Sequence, residues 1–166
     1  MRVRFLHGTP IFEYRFFISC ALLISIKKEN FSEWRTDMRI RCGMDLIELK
    51  RIEKVLSSHG ESFKKKVYTA RERAYCDGRG KAFVQSYAAR FCGKEAVAKA
   101  LGTGIAKGVS LQDIEITVDG GGRPCVILHN EARRLYEAMG GRSMDVSLTH
   151  SHDYAAAQAV LLTDEE

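Results

Sequence analysis

Residues 39–45 alternate between apolar and polar side chains, a pattern that predicts a short β-strand. Its two sides carry the triplets Ile40, Cys42, Met44 and Arg41, Gly43, Asp45. Farther along, apolar residues recur three or four positions apart, at Leu46, Leu49, Ile52 and Leu56. The strand is therefore expected to pass into a helix at Asp45, and the helix to end in the turn-forming residues 57–60.

A second helical pattern covers residues 81–101 and is the longest in the chain. It is expected to end at Gly102-Thr103-Gly104, because glycine readily adopts the left-handed conformation that closes a helix. Before it, Thr69 and Glu72 have the spacing of a capping box, which predicts the start of another short helix.

The remaining pattern is that of short strands and one more helix. Strands are predicted at residues 113–118, 125–128, 146–149 and 155–162. The first two flank the turn sequence Asp119-Gly120-Gly121-Gly122, and the last two flank a turn at 150–153. Asn130 is expected to cap a helix between the two pairs. Helices and strands in this mixed order indicate an α+β fold.

The first 37 residues differ from the rest of the chain. Their apolar run, Phe16 to Ile26, is too short to cross a membrane as a helix. The sequence KKENFSEW follows it instead of a cleavage site, and serine is scarcer than in transit peptides, which disfavours a targeting segment. We interpret residues 1–37 as a dispensable extension, with a translation start at Met38 as the alternative, and residues 38–166 as one domain.

The composition of the chain favours some kinds of partner and binding site and disfavours others. A chain of 166 residues, 45% of them hydrophobic, is long enough for one core. The net charge of +5 suggests a polyanionic partner, but the basic residues are not interleaved with aromatics as in nucleic-acid motifs. Five widely spaced cysteines without a C-x-x-C pair indicate reduced thiols and disfavour zinc. We expect neither nucleic-acid nor membrane binding, and a cytoplasmic location.

Two carboxylates occupy positions that call for an explanation. On the helix 81–101, Glu95 falls in the middle of the apolar face, where an ionised group needs a basic partner or a bound cation. A Glu95–Lys99 pair one turn apart would satisfy it equally well. Asp45, at the expected strand-to-helix junction, would serve as a helix cap, with Glu48 completing a capping box. A hard cation held by both carboxylates is the other interpretation.

Basic groups surround Glu95 in the sequence. Arg90, Lys94 and Lys99 lie on the same helix, and the glycine loop 102–104 follows directly. Bases beside a carboxylate suit a metal-bound polyphosphate, although such a loop is also a common helix terminator. His150, at the turn between the last two strands, is either a phosphate ligand or an ordinary surface residue.

Two segments about fifty residues apart stand out: Gly43-Met44-Asp45-Leu46-Ile47-Glu48-Leu49-Lys50-Arg51-Ile52 and the more specific Ala89-Arg90-Phe91-Cys92-Gly93-Lys94-Glu95-Ala96. They resemble motifs of the holo-acyl-carrier-protein synthases, which belong to the 4′-phosphopantetheinyl transferase superfamily. Weaker matches in the same order extend the resemblance from Met38 to about Leu162. One departure is Cys92-Gly93, where the family generally has two small residues, most often alanines. Gly93 costs roughly 1 kcal/mol of helix propensity relative to alanine. The amino-terminal extension is the other departure.

The resemblance implies a mixed or antiparallel sheet packed against the long helix, and a fatty-acid-biosynthesis enzyme. It would transfer 4′-phosphopantetheine from coenzyme A to a serine of an apo-acyl carrier protein, releasing adenosine 3′,5′-bisphosphate. Asp45 and Glu95 would hold Mg²⁺. Which group takes the serine proton stays open between Glu95 and a water on the metal.

The same resemblance assigns roles to the remaining groups. Lys99 would be catalytic and, like His150, would contact the nucleotide phosphates. Coenzyme A would also be bound by Arg90, Lys94 and Gly104, and Arg51 would contact the acidic carrier protein. The resemblance further implies a homotrimer with its sites between subunits.

Overall fold

The computed structural model describes residues 38–105 and 108–164, so the interpretation of residues 1–37 lies outside the described part. The described residues form five strands and four α-helices. The strands are β1 (Met38–Glu48), β2 (Ile114–Val118), β3 (Pro124–Leu128), β4 (Gly141–His150) and β5 (Tyr154–Asp164). The helices are α1 (Leu49–Val67), α2 (Ala70–Asp77), α3 (Phe83–Ala100) and α4 (Asn130–Ala138). The prediction of an α+β fold is confirmed.

Strands β1, β5 and β4 form an antiparallel sheet in that order, and β2 and β3 form a separate hairpin. Strand β1 pairs with β5 along its whole length, from Met38 opposite Asp164 to Glu48 opposite Tyr154. Asp45 therefore lies inside the strand, opposite Ala157. The predicted junction at Asp45 was wrong, because pairing with β5 keeps the backbone extended for three more residues.

Helix α3 packs across β1 and β5 and is buried on nearly all sides. Its inward contacts are made by small residues, and the facing side of β5 is also small, with Ala155, Ala157 and Ala159 all buried. Small side chains on both surfaces bring the helix close to the sheet. The single apolar stripe expected from the helical wheel is therefore too simple a description of α3, although its predicted position was right.

The helix ends predicted from local sequence signals agree with the structure in some cases and differ in others. Thr69 caps α2 and forms the predicted capping box with Glu72. Helix α1 begins after Glu48, which makes no side-chain cap, and it kinks at His59 before continuing to Val67. The predicted end at 57–60 thus coincides with a kink. Asn130 is the first residue of α4 and not its cap, because its side chain donates to the Asp113 carboxylate at 2.8 Å.

Candidate active site

Asp45 and Lys99 form an ion pair between strand β1 and helix α3. The Lys99 ammonium donates to Asp45 Oδ1 at 2.9 Å and to the Met44 carbonyl at 2.8 Å. The Asp45 side chain retains 18% of its exposure and that of Lys99 retains 45%. Asp45 is therefore not a helix cap, and Lys99 pairs across to the strand instead of with Glu95 one turn before it.

Glu95 lies half-buried beside this pair. Burial raises the pKa of the Glu95 carboxyl, the charge of Asp45 raises it further, and the Lys99 ammonium partly opposes both effects. The Asp45 carboxylate is thus close enough to Glu95 to disfavour ionisation of Glu95. The result is a partly buried cluster in which two acidic groups share one ammonium.

The close approach of β1 to α3 depends on Gly43. Gly43 is two residues before Asp45, so both face the helix, as alternation along a strand requires. A Cβ atom built on Gly43 would lie 2.0 Å from the Ala96 carbonyl oxygen and 2.8 Å from Lys99 Cβ. The backbones of strand and helix are therefore in direct contact at this point, which holds Asp45 next to the Glu95–Lys99 turn.

The donor set of this cluster fits a hard divalent cation. Mg²⁺ prefers oxygen ligands, is typically bound by one or two carboxylates, and completes its shell with water and substrate phosphate. Asp45 and Glu95 supply two such groups at the surface of the domain. Their pair of charges is only half neutralised by Lys99, so a cation would relieve the repulsion that raises the pKa of Glu95.

Cys92, which with Gly93 forms the departure from the family motif, adjoins the cluster from within the core. Its thiol donates to the Ala155 carbonyl at 3.4 Å. Burial raises the pKa of Cys92 to about 12, and the neighbouring Asp45 carboxylate contributes to the shift. The thiol is therefore protonated at neutral pH and acts as a small buried group.

Lys94, expected to bind coenzyme A, is instead a core residue. Its ammonium is fully buried and donates to Glu72 Oε2 at 2.7 Å and to the carbonyls of Leu111 and Ile114. All three of its donors are used, which leaves none for a phosphate. Glu72 in turn accepts from the Ile116 N–H, so this pair fastens α2 and α3 to β2.

The predicted contact of Arg90 with coenzyme A also disagrees with the surroundings of its side chain. It is 4% exposed, donates to the carbonyls of Ile116 and Ser86, and stacks on Tyr75 with its guanidinium carbon 4.0 Å from the ring centroid. At 3.6 residues per turn, Arg90 points about 140° around the helix from Glu95. The guanidinium thus stabilises the far side of α3 and does not line the cluster.

The other predicted groups, Gly104, His150 and Arg51, make no hydrogen bond to the cluster in the described residues. Gly104 has a φ of +59° and its N–H donates to the Ala98 carbonyl, so that N–H closes the helix and is not free for a phosphate. His150 is exposed at the end of β4, opposite Ala155. It is two strand spacings, about 10 Å, across the sheet from β1. Arg51 is exposed in the first turn of α1.

Two structural contributors were missed by the sequence analysis. Gly43 was treated as part of a motif, although a glycine inside a strand is itself a signal of close backbone approach. Glu72 was recognised only as half of a capping box, and its second role as the buried partner of Lys94 depends on contacts between distant segments.

Among the residues at 38–105 and 108–164, no helix is long and apolar enough to cross a membrane.

Comparison with known proteins agrees with the motif resemblance. Residues 41–159 match the family model described as ACPS, 4′-phosphopantetheinyl transferase superfamily. The chain is 44% identical over 124 residues to the holo-[acyl-carrier-protein] synthase of Ruminiclostridium cellulolyticum, covering 75% of this chain and 92% of that protein. It is 48% identical over 122 residues to the synthase of Moorella thermoacetica, covering 74% and 93%. The crystal structure of the Bacillus anthracis synthase in complex with CoA (3′,5′-ADP) aligns with a TM-score of 0.64 at 37% identity, covering 76% and 99%.

Proposed function

The chain belongs to the 4′-phosphopantetheinyl transferase superfamily, as one of its holo-acyl-carrier-protein synthases, and on this premise we propose how its residues carry out the transfer. The acceptor is a serine of an apo-acyl carrier protein, and coenzyme A is the donor. The second product is adenosine 3′,5′-bisphosphate. The observation that carries the proposal is the half-buried cluster of Asp45, Glu95 and Lys99, which brings the two matching motifs together.

Asp45 and Glu95 hold Mg²⁺ in this proposal. The bound ion supplies charge neutralisation at the pyrophosphate of coenzyme A as negative charge moves to the leaving phosphate. Support comes from the oxygen-only donor set and from the mutual repulsion of the two carboxylates. Neither residue is needed as a helix cap or as half of an ion pair within α3, which were the competing explanations for them.

Lys99 provides the mobile positive charge of the site. Its side chain is nearly half exposed, and its long stem allows the ammonium to turn from Asp45 to a substrate phosphate. His150 is the second proposed phosphate contact. The acceptor of the serine proton is either Glu95 or a water on the metal.

We propose that the acidic carrier docks on the exposed side of α1. Arg51 is exposed there, only six residues after Asp45, so a carrier held by this helix would present its serine close to the carboxylate cluster. Complementary charge mainly speeds encounter and fixes orientation. The chain's net charge of +5 is consistent with such a partner.

We propose a homotrimer whose subunits meet at one face of the sheet. Large apolar side chains on the face of β1 and β5 that points away from α3 are exposed: Met38, Ile40, Met44, Leu46, Tyr154 and Val160. Exposed apolar patches of this kind often mark subunit contacts. Light scattering of the full chain and of Met44→Asp checks this, since a charge on that face should give monomers. An unchanged mass would count against this face as the interface.

We further propose that residues 38–166 are the whole transferase domain, that residues 1–37 are dispensable and that the enzyme acts in the cytoplasm, within fatty acid biosynthesis. A chain beginning at Met38 should keep the full transfer rate. The free thiols of Cys42, Cys76, Cys92 and Cys125 are consistent with a reducing compartment.

The test is transfer itself. Apo-acyl carrier protein is incubated with the enzyme, coenzyme A and Mg²⁺, and its mass is followed together with the nucleotide product. We expect the carrier to gain one phosphopantetheine per molecule of adenosine 3′,5′-bisphosphate released, and EDTA to stop both. Binding of coenzyme A without any gain in carrier mass would instead identify a coenzyme A binding module.

A further inference from the structure

The contact between Lys99 and Asp45 occupies one of the two carboxylates proposed to hold the metal. The ammonium lies 2.9 Å from Asp45 Oδ1 and is held there by a second bond to the Met44 carbonyl. A divalent cation on Asp45 would meet this positive charge directly. Lys99 and the cation are therefore rivals for the same carboxylate.

The Lys99 bridge is not required to hold the strand on the helix. Direct backbone contact at Gly43 already fixes β1 against α3 one residue before Met44. The pair is also partly exposed, and exposed ion pairs contribute about 1 kcal/mol or less to stability. Breaking the bridge therefore costs little, so the ammonium can leave Asp45 when another cation arrives.

Lys99 also has chemistry available for a second partner. Two of the three N–H donors of its ammonium are used within the described part of the chain, by Asp45 and Met44. Displacement from Asp45 would free all three for phosphate oxygens. Glu95 interacts with Lys99 through charge alone, since no hydrogen bond joins the two side chains in the described residues.

We propose that Lys99 is an internal counter-ion that competes with the divalent cation for Asp45, and that its displacement makes it available to the coenzyme A phosphates. This rests on the proposed metal and coenzyme A sites. Displacement of Lys99 couples the binding of metal and coenzyme A beyond any direct contact between them, because each ligand favours the same displaced position of Lys99. Such coupling is reciprocal, so metal must raise coenzyme A affinity by the factor by which coenzyme A raises metal affinity.

The inference predicts changes of opposite sign when Lys99 is replaced by methionine. In the absence of coenzyme A, the metal should bind about tenfold more tightly to Lys99→Met. This is the Coulomb repulsion expected between one positive charge and a divalent ion about two contact distances apart in a water-like dielectric. Coenzyme A should bind more weakly, since a phosphate contact is lost. A purely structural role for Lys99 would weaken both ligands together.

The experiment titrates the full chain with Mn²⁺ in the absence of coenzyme A and reads free Mn²⁺ by electron paramagnetic resonance. Lys99→Arg keeps the charge and should stay close to the wild type. Lys50→Met removes an exposed lysine that makes no described bond to Asp45 or Glu95, and should change Mn²⁺ affinity less than twofold. Steady-state kinetics should then show a lower apparent KM for metal and a higher KM for coenzyme A in Lys99→Met.

The possible results distinguish a failure of the counter-ion role from a failure of the proposed metal site. Wild-type binding of Mn²⁺ with unchanged or weaker binding in Lys99→Met overturns the counter-ion role and leaves the metal site intact. If Lys50→Met tightens Mn²⁺ binding as much as Lys99→Met does, the change reflects only the net charge of the protein, and the counter-ion role is again overturned. Wild-type protein that binds Mn²⁺ no better than Asp45→Asn removes the proposed metal site, and the inference falls with it.

Discussion

Replacing Gly43 with alanine is expected to disable the active site by adding one methyl group. The new Cβ would lie 2.0 Å from the Ala96 carbonyl oxygen, whereas an ordinary carbon–oxygen contact is about 3.3 Å. Strand and helix must therefore separate by roughly 1.3 Å. The obstacle is backbone, which cannot rotate away as a side-chain end can. Overpacking of this kind costs about 1–3 kcal/mol, and we expect the upper end of that range.

The separation acts directly on the catalytic groups. Asp45 lies two residues beyond Gly43 and would be carried away from Glu95 and from the Lys99 ammonium, which is now 2.9 Å distant. Misplacement of a catalytic group by about 1 Å typically costs about a hundredfold in rate. We therefore predict a comparable loss in kcat for phosphopantetheine transfer, together with weaker metal binding.

Gly93→Ala is the matched control, because it adds the same methyl group to the same helix. There the atoms nearest to the new Cβ belong to side chains and not to backbone, with Leu148 Cδ2 at 3.1 Å and Ile116 Cγ1 at 3.2 Å. Relief of the glycine penalty, roughly 1 kcal/mol, offsets the crowding. We expect stability within about 1 kcal/mol of wild type and nearly unchanged transfer.

Both variants are compared by urea unfolding and by initial rates of carrier modification. The reasoning is refuted if Gly43→Ala transfers at the wild-type rate with wild-type stability, or if Gly93→Ala is damaged equally. Loss of stability without loss of rate in Gly43→Ala would show that the close approach serves folding alone.

The remaining predictions concern the charged groups Glu95, Lys94 and Arg51. Glu95→Gln should raise the melting temperature of the metal-free protein at neutral pH, because burial and Asp45 raise the pKa of Glu95 and so disfavour its ionised form. Accordingly, metal-free wild type should lose stability as pH rises from the ordinary value of 4.5 through the raised pKa, and flat thermal unfolding across that range would contradict this. Lys94→Met should cost about 3–5 kcal/mol in urea unfolding by leaving Glu72 buried and unpaired, and Glu72→Gln added to it should recover part of the loss. Arg51→Glu should raise the KM for carrier protein and leave that for coenzyme A unchanged, and equal changes in both would argue against a carrier contact.

Local sequence signals predicted most elements of the fold because their causes are local. The Thr69–Glu72 capping box, the turn at 119–122 and the glycine end of α3 each depend on neighbours within a few residues. The strand-to-helix junction was wrong for the opposite reason. Leu46 begins the helical spacing that Leu49, Ile52 and Leu56 continue, but pairing with β5, more than a hundred residues away, keeps residues 46–48 extended.

The site could be predicted from the sequence only in part. Asp45, Glu95 and Lys99 were identified, and they do lie together. Their grouping required the motif resemblance, since each had an equally good local explanation. Arg90 and Lys94 were misassigned because a basic residue near a carboxylate in sequence need not share its face of the helix. Their real partners, Ile116 and Glu72, belong to other segments.

The central claim is that Asp45 and Glu95 together hold the metal on which transfer depends. Its most direct test is the initial rate of phosphopantetheine transfer at saturating Mg²⁺ by Asp45→Asn and by Glu95→Gln, each confirmed as folded by circular dichroism. We predict that both nearly isosteric variants lose at least a hundredfold in rate, about 2.7 kcal/mol, while remaining folded. Full activity in either variant would contradict it.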